Sequence, residues 1–258
     1  MNELLAVIFP PHFKQSYIDR LVTKRPDILI FDDKFNINLD KINLPDSILY
    51  LEFGKNFNQP LNKAKFPKNV KLIKFGSDYL HSLENVHFPE SIEIIKFPIN
   101  YNMSLKYFKF PNSIKEIFFY NFNNNLPNFP PSLEKLMLGC NFDTLCYNVK
   151  LPNNLNYLGI AGLSNNKSLI NNLPSKIKTL HLIDKIDFEI TNFPESIEVI
   201  IIDINEKYMS DIYVKNHIHE QNNLPIGLKK IIISNKKIMT KIKKIPFDCM
   251  ICDVNDQI

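Results

Sequence analysis

The sequence predicts a repeat solenoid, mainly β, in which a parallel sheet receives one short strand from each repeat of about 22 residues. The first observation is a two-residue tag, leucine or an aromatic followed by proline, that recurs along most of the chain. Successive tag prolines are 22, 22, 22, 19, 22, 22, 20, 31 and 21 residues apart. The second is that apolar residues keep fixed positions relative to each proline. The tags are Leu44-Pro45, Phe66-Pro67, Phe88-Pro89, Phe110-Pro111, Phe129-Pro130, Leu151-Pro152, Leu173-Pro174, Phe193-Pro194 and Leu224-Pro225, with a weaker match at Ile245-Pro246.

Each repeat is predicted to contribute one strand, because apolar residues occupy positions +6 and +8 counted from the tag proline. Side chains two residues apart lie on one face of a strand, so we expect each pair to point into the core. The pairs are Leu51/Phe53, Ile73/Phe75, Ile95/Phe97, Ile117/Phe119, Leu136/Leu138, Leu158/Ile160, Leu180/Leu182, Ile200/Ile202 and Ile231/Ile233.

Written from position +3, the repeat reads L-x-x-L-x-L-x-x-N, and the segment from Leu133 to Asn141 fits every position. This is the pattern of a leucine-rich repeat, which predicts a parallel sheet on the concave side. We expect the side chains at the last position to form a buried ladder that satisfies backbone groups after each strand. The polar residues at this position are Asn56, Asp78, Asn100, Asn141 and Asn205.

Position +12 is aromatic in several repeats, which predicts a column of stacked rings under the convex side. These residues are Phe57, Tyr79, Tyr101 and Phe142, and Phe35 lies 22 residues before Phe57. The residues between this position and the next strand lack helical periodicity, so the convex side should be extended or turn-like. Proline suits the return to the sheet, where its fixed φ is tolerated and its missing N–H is not needed.

These residues resemble the FNIP repeat, a relative of the leucine-rich repeat found in amoebae and in the large DNA viruses that infect them. The strings Phe35-Asn36 and Phe57-Asn58-Gln59-Pro60-Leu61 carry the resemblance, which covers roughly residues 25–250. It implies a solenoid used for protein interaction, with no catalytic residues to carry over. Some viral members begin with an F-box, so a substrate adaptor in host ubiquitination is an alternative by analogy. Only about 25 residues precede the first repeat here, too few for an F-box.

The two ends and one interval of the chain depart from the repeat. Residues 1–24 are expected to form an N-terminal capping segment with a short amphipathic helix between Pro11 and Lys24, because a solenoid exposes its core at each end. A partner-binding helix is the alternative for this segment. Residues 25–258 are expected to form a solenoid of about ten repeats, with an insertion near 206–223 that maps to a loop.

Several classes of protein are not supported by the sequence. The net charge is +4, no apolar run approaches membrane-spanning length, and the N-terminus lacks the features of a signal peptide. We therefore expect a cytoplasmic protein, in the host cytoplasm if the chain is viral. No phosphate-binding, nucleophile or zinc-enzyme motif occurs, so no enzyme, cofactor or metal is predicted. Cys249 and Cys252 fall at positions +3 and +6, which predicts core residues rather than metal ligands.

The outward positions of the strands, +5, +7 and +9, define the expected binding face. In the middle repeats they bring together Phe118, Tyr120, Met137, Tyr157 and His181. Grouped aromatic and methionine side chains on a sheet are typical of a protein-binding patch. The sequence therefore predicts a protein partner, whose identity it does not specify, on the concave sheet surface. Packing of these side chains against the cap or a second copy is the alternative.

A lysine-rich segment near the C-terminus offers a second candidate surface. It contains Lys229, Lys230, Lys236, Lys237, Lys241, Lys243 and Lys244, with no acidic residue between Gln221 and Phe247. Such a segment could contact nucleic acid or an acidic protein surface. A solvated capping face is the commoner outcome, and no nucleic-acid recognition motif accompanies the lysines.

Overall fold

A computed structural model describes residues 5–12, 15–124, 126–139, 150–162, 167–204 and 210–254. The chain divides into two compact units, Met1–Ser132 and Leu133–Ile258. In each unit parallel strands follow one another in chain order, one from each repeat, and the predicted fold class is confirmed. Asn141, Phe142, Asn205 and the start of the insertion, residues 206–209, lie outside the described residues.

The described residues of unit 1 form six parallel strands and one helix. The strands are β1 (Ala6–Phe9), β2 (Ile28–Phe31), β3 (Tyr50–Glu52), β4 (Leu72–Lys74), β5 (Ile94–Lys96) and β6 (Glu116–Phe119), and helix α1 (Gln15–Lys24) connects β1 to β2. The register advances by one repeat at every step: Ala6 pairs with Ile28, Ile28 with Tyr50, and Tyr50 with Leu72. Each of these partners is 22 residues further along the chain, so the backbone repeats as regularly as the tag.

The segment before residue 25 contains a strand as well as the expected helix. Strand β1 pairs in parallel with β2, so the repeat register extends to Ala6. Helix α1 packs on this strand: Ile18 and Leu21 are buried, and the Tyr17 hydroxyl donates to the Ile8 carbonyl at 2.8 Å. The sequence did not reveal β1 because no tag proline precedes it.

The part of unit 2 that the structure describes also forms six parallel strands, with more helical connections. The strands are β7 (Lys135–Leu138), β8 (Tyr157–Ala161), β9 (Thr179–Ile183), β10 (Val199–Asp203), β11 (Lys230–Ile233) and β12 (Met250–Asp253). The helices are α2 (Lys167–Ile170), α3 (Asp211–His217) and a 3₁₀ helix at Lys236–Lys241. Helix α2 lies between β8 and β9, α3 between β10 and β11, and the 3₁₀ helix between β11 and β12.

The inward pairs predicted at +6 and +8 are all buried, which confirms the strand phase. In unit 1 the +8 and +12 positions form two adjacent columns of aromatic rings. Along one column Phe57 stacks on Phe35 and on Tyr79, each at 6.1 Å between ring centroids. Within one repeat the two columns touch, as Phe53 and Phe57 do at 4.4 Å. The predicted aromatic column is therefore confirmed for unit 1, with a second column beside it.

The expected buried asparagine ladder is wrong for the described residues at that position. Asn56, Asp78 and Asn100 are exposed, because the turn after each strand is already satisfied by backbone bonds such as Asn56 N–H to the Asp33 carbonyl at 3.0 Å. A different ladder occurs one residue after the aromatic column. The Oδ1 atom of Asn58 accepts the backbone N–H of Leu80 at 3.0 Å. Asn36 and Asn102 accept equivalent backbone bonds from the next repeat.

The tag proline begins a tight turn whose polar groups are also paired. In the third repeat of unit 1 the Pro89 carbonyl accepts the backbone N–H of Ile92 at 3.2 Å, and Ile92 is fully buried. The serine at +2 donates to the preceding repeat, as Ser91 does to the Val70 carbonyl at 2.8 Å. Ser113, Ser132 and Ser196 make the same bond in their repeats. The tag and its serine therefore connect each turn to its neighbour.

The described part of the insertion is anchored to the solenoid. Ser210 caps helix α3, and Ile218 after the helix forms a parallel bridge with Ile186. Gln221 is 3% exposed, and its Oε1 atom accepts the backbone N–H of Ile190 at 3.0 Å. Its Nε2 atom donates to the Phe188 carbonyl at 2.9 Å. One glutamine side chain thus satisfies buried backbone groups that the enlarged repeat would leave unpaired.

Replacing Gln221 with alanine should lower the free energy of unfolding by about 1–3 kcal/mol, because the Ile190 N–H loses its partner in a buried position. The matched control is Asn223→Ala, which removes an exposed amide whose Nδ2 atom donates to Glu189 at 2.9 Å. That change should cost less than about 0.5 kcal/mol. Urea unfolding followed by circular dichroism measures both, and equal losses in the two variants would contradict the anchoring role.

The C-terminal repeat shows that the core prediction for Cys252 is wrong. In the parallel register Ile251 pairs with Ile231, and Cys252 pairs with Ile232 at an outward position. The last repeat has one residue fewer between its proline and its strand, which shifts Cys252 by one residue and onto the other face. Cys249 does follow the turn pattern, since its N–H donates to the Pro246 carbonyl at 3.2 Å. Both thiols are half-buried.

Candidate interaction surface on the outward sheet face

The outward face of unit 1 carries a row of side chains at position +7, together with the residue of β2 that pairs with this position, and we call it the unit 1 row. Ile30, Glu52, Lys74, Lys96 and Phe118 lie directly opposite one another on successive strands. All five are half-buried, because the pleat points them away from the core while neighbouring strands flank them. The row therefore places acidic, basic and aromatic groups about one strand spacing apart.

Glu52 organises the polar part of this row. Its Oε1 atom accepts a charged hydrogen bond from Lys74 Nζ at 2.7 Å, and its Oε2 atom accepts a hydrogen bond from the Tyr50 hydroxyl. Burial and, next, this bond to Glu52 raise the pKa of the Tyr50 hydroxyl above its ordinary value. Tyr50 therefore stays a neutral hydrogen-bond donor near neutral pH. Further along the row, Lys96 Nζ lies over the ring of Phe118, 5.4 Å from its centroid.

A shallow cleft of about 430 Å³ opens along the unit 1 row. Its charged lining consists of Asp33, Glu52, Lys55, Lys74 and Lys96. Ile99 and Tyr120 also line it, and they are 53% and 41% exposed. The structure thus places Tyr120, predicted from the sequence as a binding residue, in a cleft, and places Phe118 beside the lysine that borders it.

On unit 2 the predicted residues Met137, Tyr157 and His181 are neighbours on strands β7, β8 and β9. The Met137 side chain lies across Gly159, where a Cβ atom would come within 2.2 Å of its sulfur. The hydroxyl of Tyr157 is hydrogen-bonded to His181 Nδ1 at 2.8 Å. Because Gly159 has no side chain, the Met137 side chain can occupy the space above it.

Two further residues that the sequence did not single out complete this group. Lys135 Nζ lies over the Tyr157 ring, 4.7 Å from its centroid, and Asp203 Oδ2 is 3.6 Å from His181 Nε2. The nearby His181 imidazole lowers the pKa of Asp203, while burial raises the pKa of Tyr157. Tyr157, His181 and Asp203 occupy positions +5, +7 and +9 on three successive strands, so they lie on a diagonal across the sheet. The pattern within a single repeat does not reveal this proximity.

The predicted basic patch is divided between elements and partly neutralised. Lys229 and Lys230 lie at the start of β11, and Lys236, Lys237 and Lys241 belong to the 3₁₀ helix. Lys243 and Lys244 follow this helix and are exposed. Acids from earlier in the chain reach two of these lysines: Glu198 pairs with Lys229 at 2.8 Å and Glu220 with Lys243 at 3.9 Å. The net positive charge of this surface is therefore smaller than the lysine-rich segment alone indicates.

Two glutamates bridge lysines of the neighbouring repeats at position +4, beside the sheet. Glu93 accepts from Lys71 and from Lys115, each at 2.8 Å. Glu198 accepts from Lys178 and Lys229 in the same way. Hydrogen bonds from the lysines lower the pKa of Glu93, and those from Lys178 and Lys229 lower the pKa of Glu198 to about 2.

This arrangement predicts a pH dependence with a definite sign. The Glu198 pKa of about 2 in the folded chain lies below its value of about 4.3 in an unfolded chain. The bridge therefore stabilises the fold above pH 4.3 and is lost as the pH falls from there through about 2. A carboxyl ¹³C titration should give a midpoint near 2 for Glu198, and Lys229→Met should raise it. A midpoint of 4 or above in the unmodified chain would contradict the bridge.

No group of three or more His, Cys, Asp or Glu side chains in the described part of the chain is arranged to hold a metal ion. No helix described there has the length and apolar character needed to cross a membrane.

The FNIP repeat family model matches residues 27–56 and 57–99. These segments contain the two FN strings that carried the resemblance in the sequence, so the predicted resemblance is confirmed and the chain carries FNIP repeats there. A search of curated protein sequences found no match.

Solved structures resemble this chain, among them the following two. One is CroV588, described as a novel circular leucine-rich-repeat protein structure, with a TM-score of 0.60 and 20% identity over 97% of this chain and 43% of that one. The other is YopM from Yersinia enterocolitica WA-314, with a TM-score of 0.47 and 14% identity over 92% of this chain and 57% of that one. This chain thus spans less than half of CroV588. At such identity the likeness to CroV588 shows the fold, which is that of a leucine-rich repeat.

Proposed function

We propose that this chain is a non-enzymatic interaction module that binds a protein partner through the outward face of its sheet. The observation that carries the proposal is the composition of that face. Phe118 and Tyr120 lie on the outward face of unit 1, and Met137, Tyr157 and His181 lie on the outward face of unit 2, where β7, β8 and β9 are paired in register. Aromatic and methionine side chains are enriched at protein interfaces, and repeat solenoids present extended surfaces of this kind.

The polar contacts on this face also suit binding. Glu52, Lys74, Tyr157 and His181 are held by hydrogen bonds to neighbours on adjacent strands, so a partner would meet side chains that are already oriented. Binding to such a surface costs less conformational entropy than binding to mobile side chains. The FNIP and leucine-rich repeats supply the scaffold for this face, and the proposed site residues are this chain's own.

Affinity capture with two variants tests the proposal. The tagged chain is used to recover partners from cell extract, and mass spectrometry compares it with a Phe118→Ala plus Tyr157→Ala variant. Aromatic anchors at interfaces are worth about 2 kcal/mol or more, so recovery of a specific partner should fall at least about tenfold. Tyr107→Ala is the control, because Tyr107 is 69% exposed and lies outside the strands.

The capture results can be interpreted when all variants keep the melting temperature of the unmodified chain within a few degrees. Loss of a protein in the double variant and its retention in Tyr107→Ala supports the proposal. Equal recovery in all three contradicts it. Salt-sensitive recovery of nucleic acid in place of a protein would favour the lysine-rich segment instead, and recovery of a ubiquitin-ligase scaffold would favour the adaptor role.

A further inference from the structure

We propose that the cleft on the outward face of unit 1 binds an acidic segment of a partner protein, with a carboxylate on Lys96 and an apolar side chain against Ile99 and Tyr120. This inference rests on the proposed function, because it assigns a partner chemistry to part of the same face. Four features of the described residues support it. They are an opposed pair of lysines, the lack of a carboxylate paired with one of them, the exposed apolar rim, and the acids that would repel a polyphosphate.

The first observation is that Lys74 and Lys96 lie directly opposite each other in the parallel register. Like charges at directly opposed positions of a sheet are destabilising. Lys74 is compensated, because its Nζ atom is 2.7 Å from Glu52 Oε1. Lys96 instead turns to the other side, where its Nζ atom lies 5.4 Å from the centre of the Phe118 ring. The row therefore contains one neutralised lysine and one whose neighbour is an aromatic ring.

The second observation concerns the acids that could neutralise Lys96. Among the described residues no carboxylate forms an ion pair with it, since Glu52 is bonded to Lys74 and Tyr50. The other acid of the cleft, Asp33, accepts the backbone N–H of Lys55 at 2.9 Å through Oδ1. Three lysines and two carboxylates line the cleft, which leaves a net charge of +1. A single added carboxylate would balance this charge and relieve the repulsion between Lys74 and Lys96.

The third observation is the apolar rim. Ile99 and Tyr120 line the same cleft and are 53% and 41% exposed, so part of their apolar surface remains to be covered. Removing such apolar surface from water is favourable. An acidic residue next to a leucine or phenylalanine would satisfy the lysine and the rim together, which a free anion would not do.

The fourth observation selects a peptide over a nucleic acid. A polyphosphate places charges at short, regular intervals and gains affinity from many lysines. Here Asp33 and Glu52 line the same cleft as Lys96 and would repel the flanking phosphates. One carboxylate between apolar side chains fits this mixed lining better than a row of phosphates.

Two labelled hexapeptides provide the probe. Both have blocked termini; one holds a single glutamate between a leucine and a phenylalanine as its only charged residue, and its amide twin has glutamine in that place. Fluorescence anisotropy with the full chain at 50 mM salt should show the acidic peptide binding at least about fivefold more tightly than the twin. In ¹H–¹⁵N spectra, the backbone signals of Lys96 and Tyr120 should shift when the acidic peptide is added.

The deciding variant is Lys96→Met, which keeps a long side chain and removes the charge. It should weaken binding of the acidic peptide at least about fivefold while leaving the melting temperature unchanged or higher, since one of two opposed like charges is gone. Lys68→Met is the matched control, because the Lys68 side chain is 85% exposed, pairs with Asp46 and does not line the cleft. It should bind the peptide as the unmodified chain does.

Three results would overturn the inference: equal binding of the amide twin, unchanged binding in Lys96→Met, or a single-stranded oligothymidine that competes better than the acidic peptide. The result is separable from the proposed function. If capture of a partner depends on Phe118 and Tyr157 but not on Lys96, the acidic-segment inference fails and the interaction face remains. If the double variant captures as well as the unmodified chain, the interaction face itself fails.

Discussion

Replacing Phe57 with alanine is expected to lower the free energy of unfolding by about 3–5 kcal/mol, the range for removing a buried phenylalanine ring. Phe57 is fully buried and lies in the middle of the aromatic columns. Its ring contacts Phe53 at 4.4 Å and stacks on Phe35 and Tyr79. Backbone hydrogen bonds between adjacent turns limit how far the neighbouring rings can move. They therefore cannot fill the cavity that the missing Phe57 ring would leave. Guanidinium unfolding followed by tyrosine fluorescence measures the loss.

Two tyrosines in the same column provide the controls. The Tyr101 hydroxyl donates to the His81 carbonyl at 3.2 Å, whereas the buried Tyr79 hydroxyl has no hydrogen-bond partner among the described residues. Tyr101→Phe should therefore cost about 0.5–1.5 kcal/mol, while Tyr79→Phe should be neutral or stabilising. A loss below about 1 kcal/mol for Phe57→Ala, or a larger loss for Tyr79→Phe than for Tyr101→Phe, would contradict the stacked-column description.

Replacing Gly76 with alanine is the second change with a large expected effect, a loss of about 1–3 kcal/mol or more. A Cβ atom at Gly76 would lie 2.0 Å from the carbonyl oxygen of Gly54 in the preceding repeat. Gly54 is equally close to its predecessor, since its Cβ would lie 2.2 Å from the Asp32 carbonyl oxygen. These contacts are with backbone atoms, which cannot rotate away as a side chain can. Relief would require separating turns that hydrogen bonds hold together.

Gly227→Ala is the matched control. Its nearest neighbour would be the Glu195 carbonyl oxygen at 3.5 Å, an ordinary van der Waals distance. This change should leave stability unchanged or raise it by about 0.4–1 kcal/mol, because alanine restricts the unfolded chain. Thermal unfolding of the two variants side by side checks the prediction, and a Gly76→Ala chain as stable as Gly227→Ala would show that the turns can separate freely.

The strand phase could be predicted because the tag proline sets it. Proline cannot donate to a ladder and begins a turn that buries the residue at +3, so counting from Pro89 places Ile95 and Phe97 inside the core. Counting from the tag proline fails where a repeat has lost a residue or has no tag. One missing residue moves Cys252 to the outward face, and the absence of a tag concealed strand β1.

The outward positions followed from the same count, but the contacts between them did not. The repeat period predicts that Lys74 and Lys96 face outward. It does not predict that Lys74 contacts Glu52 while Lys96 contacts Phe118. Nor does it show that Glu198 reaches Lys229, which lies 31 residues away across the insertion. Such contacts depend on side-chain rotamers and on the acids of adjacent repeats. Opposed positions in neighbouring repeats therefore have to be compared directly.

Tyrosine footprinting tests most directly whether the outward sheet face is the binding surface. Tyr120 on this face is 41% exposed, and Tyr107 outside the strands is 69% exposed, so both react with a phenol-modifying reagent in the free chain. With the captured partner bound, we expect the modification rate of Tyr120 to fall at least about fivefold while that of Tyr107 stays the same. Protection of Tyr107 without protection of Tyr120 would contradict the proposed interaction surface.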